Sequence, residues 1–98
     1  MTSRAIVLVE RLLRDEVFTE AELAREIVVR ALTLADYRTA KEPMPLDRQL
    51  CLALVLTRLP EPYARMGRQF REQVAAAMRY ELHVTERHDG PPLSFRRF

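Results

Sequence analysis

The side chains best suited to metal or nucleophilic chemistry are few, and they stand apart in the sequence. His83 and His88 are five residues apart, with Glu86 between them. Zinc on a helix would need ligands four residues apart and one or two further nitrogen or sulfur ligands, which this segment does not supply. The single cysteine, Cys51, lies in the apolar run QLCLALVL, where the thiolate of a nucleophile is disfavoured. We therefore expect neither a metal site nor a Cys–His catalytic pair.

Motifs that hold phosphates or cofactors are also missing from the sequence. The only glycines are Gly67 and Gly90, so no glycine-rich loop can cradle a phosphate. Carboxylates are dispersed along the chain, and methionines and aromatic residues at helical spacing are typical of a core. We expect no cofactor, and we expect the chain not to be an enzyme.

Length and composition indicate a single soluble domain. The chain has 98 residues, of which 48% are hydrophobic and 31% are charged, and this suits one modest core. A lone cysteine cannot form an internal disulfide, and the first residues lack the cleavage site of a signal peptide. The longest uncharged run, residues 49–57, is too short to span a bilayer. These features predict a cytoplasmic protein without membrane contact.

Apolar spacing and capping residues predict where the first helices begin. Residues 3–14 carry apolar side chains at helical spacing, with Ser3 as the predicted N-cap. Thr19 followed by Glu22 is a capping box, in which each side chain binds the backbone amide of the other residue. A second helix should therefore start near Glu20.

The second half of the chain predicts two further helices. After a proline-containing stretch, residues 47–59 are apolar on almost every side, which is typical of a central helix. The longest helix spans residues 63 to about 84, and no alternating strand pattern of useful length occurs. The predicted fold is all-α, with a helical domain over residues 1–87 and a flexible tail over residues 88–98.

Residues 19–40 fit either one long helix or two short ones. Leu23, Ile27 and Leu34 fall on one face of a single helix. Two helices require a sharp turn at Val28–Arg30, where neither glycine nor asparagine is present. Periodicity alone does not distinguish the two arrangements.

A longer pattern in the same segment favours two helices. The pattern begins with an apolar residue followed by alanine in the first helix, and two further apolar residues come after them. Two more residues then pack the second helix against the first. The matching residues are Leu23, Ala24, Ile27, Val29, Leu34 and Tyr37. Over roughly residues 19–58, the chain resembles the helix-turn-helix core of the lambda-repressor-like (XRE-type) DNA-binding domains. The resemblance implies a compact five-helix domain.

The resemblance also implies duplex DNA as the partner, with residues 30–41 in or beside the major groove. The implied DNA-binding residues are Arg30, Thr33, Arg38 and Lys41, the last of them near a phosphate. Arginine binds a guanine edge through two hydrogen bonds, and threonine contacts bases or phosphates.

Several positions depart from a DNA-reading pattern. Val28 stands where the family usually has glycine, and a valine is uncomfortable at positive φ. Arg30 replaces the usual Ser or Thr cap of the second helix, although Thr33 could cap one turn later. Leu32 and Asp36 would face the groove and suit DNA less well, because leucine more often packs on a partner and aspartate repels phosphates.

Two functions follow from these residues. The leading hypothesis is a small DNA-binding transcriptional regulator, and the alternative is a protein-interaction module that keeps the scaffold without reading DNA. Residues 1–45 carry seven basic and eight acidic side chains. Non-specific DNA affinity comes mainly from neutralised phosphates, so this near-neutral half predicts weak binding or a need for dimerisation.

The longest helix predicts how such a dimer would form. Its apolar stripe is longer than the core of a five-helix domain requires, so part of it, most plausibly the C-terminal half, should stay exposed. The residues of the predicted homodimer interface are Phe70, Val74, Met78 and Leu82. In the competing arrangement the whole stripe folds back onto the first helix and the protein is a monomer.

Overall fold

The computed structural model describes residues 3–88, and within this range the chain forms five helices and no strands. The helices are α1 (Arg4–Arg14), α2 (Glu20–Glu26), α3 (Ala31–Arg38), α4 (Leu46–Thr57) and α5 (Tyr63–His88). The predicted all-α fold is confirmed. α5 continues to His88, four residues beyond its predicted end, and the rest of the predicted tail lies outside the described residues.

The predicted caps of the first two helices are confirmed. The Ser3 hydroxyl accepts a hydrogen bond from the amide of Ile6 at 3.3 Å. The amide of Glu22 donates to Thr19 Oγ1 at 3.1 Å, and the amide of Thr19 donates to Glu22 Oε1 at 2.8 Å. These bonds satisfy amides that have no partner within a helix, which is why both helices start where the sequence predicts.

One hydrophobic cluster joins all five helices. Its largest fully buried side chains are Leu12, Leu23, Ile27, Leu34, Leu52, Leu56, Val9 and Val74. α4 contacts α5 and α2, but its apolar character does not mean burial on every side, because Leu54 is exposed and Cys51 is half-buried. No helix in the described range is long and apolar enough to cross a membrane.

Gly67 sets the distance between α4 and α5, the two helices in most extensive contact. A Cβ atom at this position would lie 2.6 Å from Leu56 Cβ and 2.7 Å from the backbone nitrogen of Thr57. Both distances are shorter than van der Waals contact allows. Glycine therefore permits a close helix approach that buries Phe70 and Val74 against the rest of the chain.

Candidate nucleic-acid interface

α2 and α3 are separated by a four-residue turn, residues 27–30. The predicted helix break between Ile27 and Leu32 is therefore confirmed. In one continuous helix Ala31 would share the apolar face of Ile27 and Leu34, yet Ala31 is exposed while the other two are fully buried. The turn lets both large side chains enter the core from helices that run in different directions.

Val28 adopts the left-handed conformation that the turn requires, with φ 62°. A β-branched residue is rare there, and the conformation costs roughly 1–2 kcal/mol relative to the right-handed helix. The side chain is 71% exposed, so packing contributes little in return. Arg48 of α4 holds the turn from the other side, because its Nη1 donates to the carbonyl oxygens of Ile27 and Val28 at 3.0 and 3.3 Å.

Arg38, at the end of α3, binds two carboxylates from other helices. Its Nε donates to Glu10 of α1 at 2.7 Å, and its Nη1 donates to Glu20 of α2 at 2.6 Å. These carboxylates raise the pKa of the Arg38 guanidinium above its ordinary value, because both favour the charged form. The predicted base-reading arginine thus has its donors turned towards α1 and α2, and it fixes α3 against both helices.

The turn brings together two of the other predicted site residues. Arg30 and Thr33 line a shallow surface cavity of about 530 Å³ with Arg25, Val28 and Val29. Lys41 lies past the opposite end of α3, a helix of eight residues, which corresponds to roughly 12 Å. Arg30 and Thr33 therefore form one cluster, and Lys41 stands apart from it.

The N-terminus of α3 has no side-chain cap. Arg30 occupies the N-cap position in extended geometry and makes no capping hydrogen bond, while Thr33 lies inside the helix rather than capping it. The first amide groups of a helix have no acceptor within it, and the helix dipole makes this end positive. Arg25, in the last turn of α2, and Arg30, at the end of the turn, are exposed and form no ion pair with the side chains described, those of residues 3–82.

Together these groups form a positively charged concave surface with open amide donors, a combination suited to phosphate oxygens. Sequence reasoning missed Arg25 as a member. The available signal was its place in the last turn of α2, three residues before the left-handed position. The outer face of α3 offers little for base edges, because its exposed residues Ala31 and Leu32 are apolar.

The predicted dimer residues divide into two groups. Phe70 and Val74 are only 2% exposed in the single chain, so they are core residues and not available to a partner. This corrects half of the predicted interface, and the physical reason is that α5 needs these side chains to pack on α4. Met78 is 36% exposed and Leu82 is 62% exposed, so the C-terminal half of the stripe remains accessible.

Comparison with protein-family models, with curated protein sequences and with solved structures finds no match for this chain. In the part of the chain that the structure describes, no group of three or more His, Cys, Asp or Glu is placed to hold a metal ion.

Proposed function

We propose that the chain is a small DNA-binding regulator of the lambda-repressor-like type that binds duplex DNA at the turn between α2 and α3. One observation carries the proposal: the uncapped N-terminus of α3 lies beside two exposed arginines, Arg25 and Arg30, that pair with no carboxylate in the described part of the chain. Open amides at a helix N-terminus bind phosphate oxygens, and flanking guanidinium groups strengthen such a contact.

The residues of this surface have different roles in the proposed complex. The amides at the start of α3 and the guanidinium groups of Arg25 and Arg30 bind phosphates of the DNA backbone, with the Thr33 hydroxyl as a further donor. Lys41 binds a second phosphate beyond the other end of α3. Leu32 offers its exposed side chain to a thymine methyl group. Arg38 acts as a positioning residue, because it orients α3 against α1 and α2.

Salt dependence of binding tests this proposal. Neutralising about three phosphates per protomer predicts a slope of log affinity against log salt of roughly −3 with random duplex DNA. The variant Arg25→Gln/Arg30→Gln should reduce that slope by about 2. The matched control is Arg65→Gln/Arg71→Gln, which removes two exposed arginines from α5 and should leave the slope unchanged.

Two results would count against the DNA-binding proposal as stated. Absence of binding at low salt would leave the protein-interaction module as the better account. An equal loss of slope in the control variant would move the DNA-binding surface from the turn to α5, near Arg65 and Arg71.

We further propose that the regulator acts as a homodimer through the exposed end of α5, which carries Met78 and Leu82. A two-fold pair doubles the number of phosphates bound. Such pairs place their two DNA-reading helices about one turn of duplex apart, roughly 34 Å.

The second candidate, a protein-interaction module, is favoured by one specific observation. Val28 and Leu32 are both 71% exposed, and Ala31, next to Leu32 in the chain, is exposed as well. An apolar surface of this kind suits a protein partner. Leu32→Ala should strongly weaken binding of such a partner, whereas DNA binding through phosphates would lose only a minor contact. A pull-down with the intact chain and this variant separates the two candidates.

A further inference from the structure

A crevice at the C-terminal end of α3 has the dimensions of a small-molecule site. It lies between the start of α1, the end of α3 and the loop that leads into α4, and its volume is about 460 Å³. Ligand pockets in proteins are usually between about 300 and 1,000 Å³. Apolar side chains form much of its wall, among them Ile6, Pro43 and Met44.

The phenol of Tyr37 gives this crevice a polar group that needs a partner. Tyr37 lines the crevice and is only 5% exposed, yet its hydroxyl makes no hydrogen bond to any described residue. Burial first, and then the nearby Glu42 carboxylate, raise the pKa of this phenol. Buried hydroxyl groups are nearly always paired, because an unpaired one loses its hydrogen bond to water without replacement.

Two charged residues, Arg38 and Glu42, line the crevice. Arg38 lies in its wall, but Glu10 and Glu20 both bind that guanidinium, so the three groups together carry one negative charge. Glu42, at the rim, forms no ion pair with the described residues. The C-terminal end of α3 reaches the same place, and its dipole adds partial negative charge.

From these three features we propose that the crevice binds a small organic cation, with its ammonium group between Glu42 and the Tyr37 hydroxyl and its apolar body against Ile6, Pro43 and Met44. The phenol oxygen accepts a hydrogen bond from the ammonium group. The carboxylate neutralises the charge. The crevice shares no lining residue with the cavity at Arg25 and Arg30.

Titration of the intact chain with phenethylamine, followed by amide NMR, tests the site. A probe of this size predicts a dissociation constant of about a millimolar, with saturable shifts at Ile6, Tyr37 and residues 40–44. The matched probes 2-phenylethanol and 3-phenylpropionate keep the aromatic body and remove or reverse the charge. Both should bind at least about fivefold more weakly.

Two variants distinguish a ligand site from a structural crevice. Tyr37→Phe should weaken amine binding by about five- to tenfold while leaving the melting temperature unchanged or higher, because the free chain loses no hydrogen bond. Glu42→Gln, at an exposed position, should weaken it by about fivefold, and Glu72→Gln, at an exposed position of α5, should not. Equal binding of the three probes would overturn the proposal, as would unchanged affinity in both crevice variants or the absence of saturable shifts.

Discussion

Arg30, Arg38 and Arg48 differ in what their guanidinium groups bind. Arg38 binds two carboxylates and Arg48 binds two backbone carbonyl groups, so both stabilise the arrangement of the helices. Arg30 is exposed and forms no ion pair with the described residues. The sequence predicted Arg30 and Arg38 as equivalent DNA contacts. The two carboxylates that bind Arg38 are 28 and 18 residues away in the sequence, and no local sequence pattern predicts a contact over such a separation.

Val28 gives a residue-scale prediction about stability. Val28→Gly should raise the free energy of unfolding by about 1 kcal/mol, because glycine adopts positive φ without a Cβ clash and the lost side chain is exposed. Urea denaturation followed by circular dichroism measures the change. Val28→Ala serves as the control, since it removes the branched side chain but keeps a Cβ and should gain less. A lower midpoint for the glycine variant would show that residue 28 does not hold this conformation in solution.

At the scale of the helices, boundaries set by local sequence signals were predictable, whereas boundaries set by long-range packing were not. The capping box of Thr19 and Glu22 is a short-range device, so the start of α2 was predictable from the sequence. The break after α2 was not decided by periodicity, because Ile27 and Leu34 satisfy one helical face as well as two crossing ones. The resemblance to a known family favoured two helices, and the structure has them.

The candidate site was only partly predictable, because some of its residues are brought together by the fold and not by the sequence. Arg30 and Thr33 were named from the sequence and lie in one cluster. Arg25 joins them only because the turn brings the end of α2 beside the start of α3. The missing cap on α3 could be inferred from Arg30 at the cap position, but its value as an anion site depends on the neighbouring arginines, which only the fold brings close.

The contact between α4 and α5 gives an element-scale prediction. Gly67→Ala should lower the free energy of unfolding by about 1–3 kcal/mol, because the added methyl group meets Leu56 Cβ and the Thr57 backbone. The better helix propensity of alanine, about 1 kcal/mol, offsets part of this loss. Chemical denaturation gives the value, with Gln69→Ala at an exposed position of α5 as the control. A variant more stable than the parent would mean that α4 and α5 are farther apart than described.

At the scale of the whole molecule, α5 reaches beyond the core that it helps to form. Val74 is the last fully buried residue on this helix in the range whose side chains are described, and Met78 and Leu82 continue the same stripe into solvent. An exposed apolar strip of this kind often marks an interface between chains. The correction to the predicted interface matters for experiments, because substitution of Val74 would disturb the core as well as any dimer.

Self-association is the prediction that belongs to this scale. Sedimentation at micromolar concentration should show a species near twice the chain mass of 11.5 kDa. Met78→Glu/Leu82→Glu should convert it to a monomer without loss of helicity, because both positions are exposed. Tyr80→Glu is the matched control: Tyr80 is more exposed than Met78 and Leu82 but lies on another side of α5, and its substitution should leave the dimer intact. A parent protein that sediments as a single 11.5 kDa species would contradict the dimer.

The central claim, that phosphate binds at the uncapped start of α3, is tested most directly by amide NMR of the intact chain with a short random DNA duplex. We predict that the largest shifts occur at the backbone amides of Ala31, Leu32 and Thr33, with smaller shifts at Lys41, and that raising the salt concentration reverses them. Chloride at the same ionic strength without DNA should move these amides little. Shifts that concentrate on α5, or that spare the start of α3 while DNA is bound, would contradict the account.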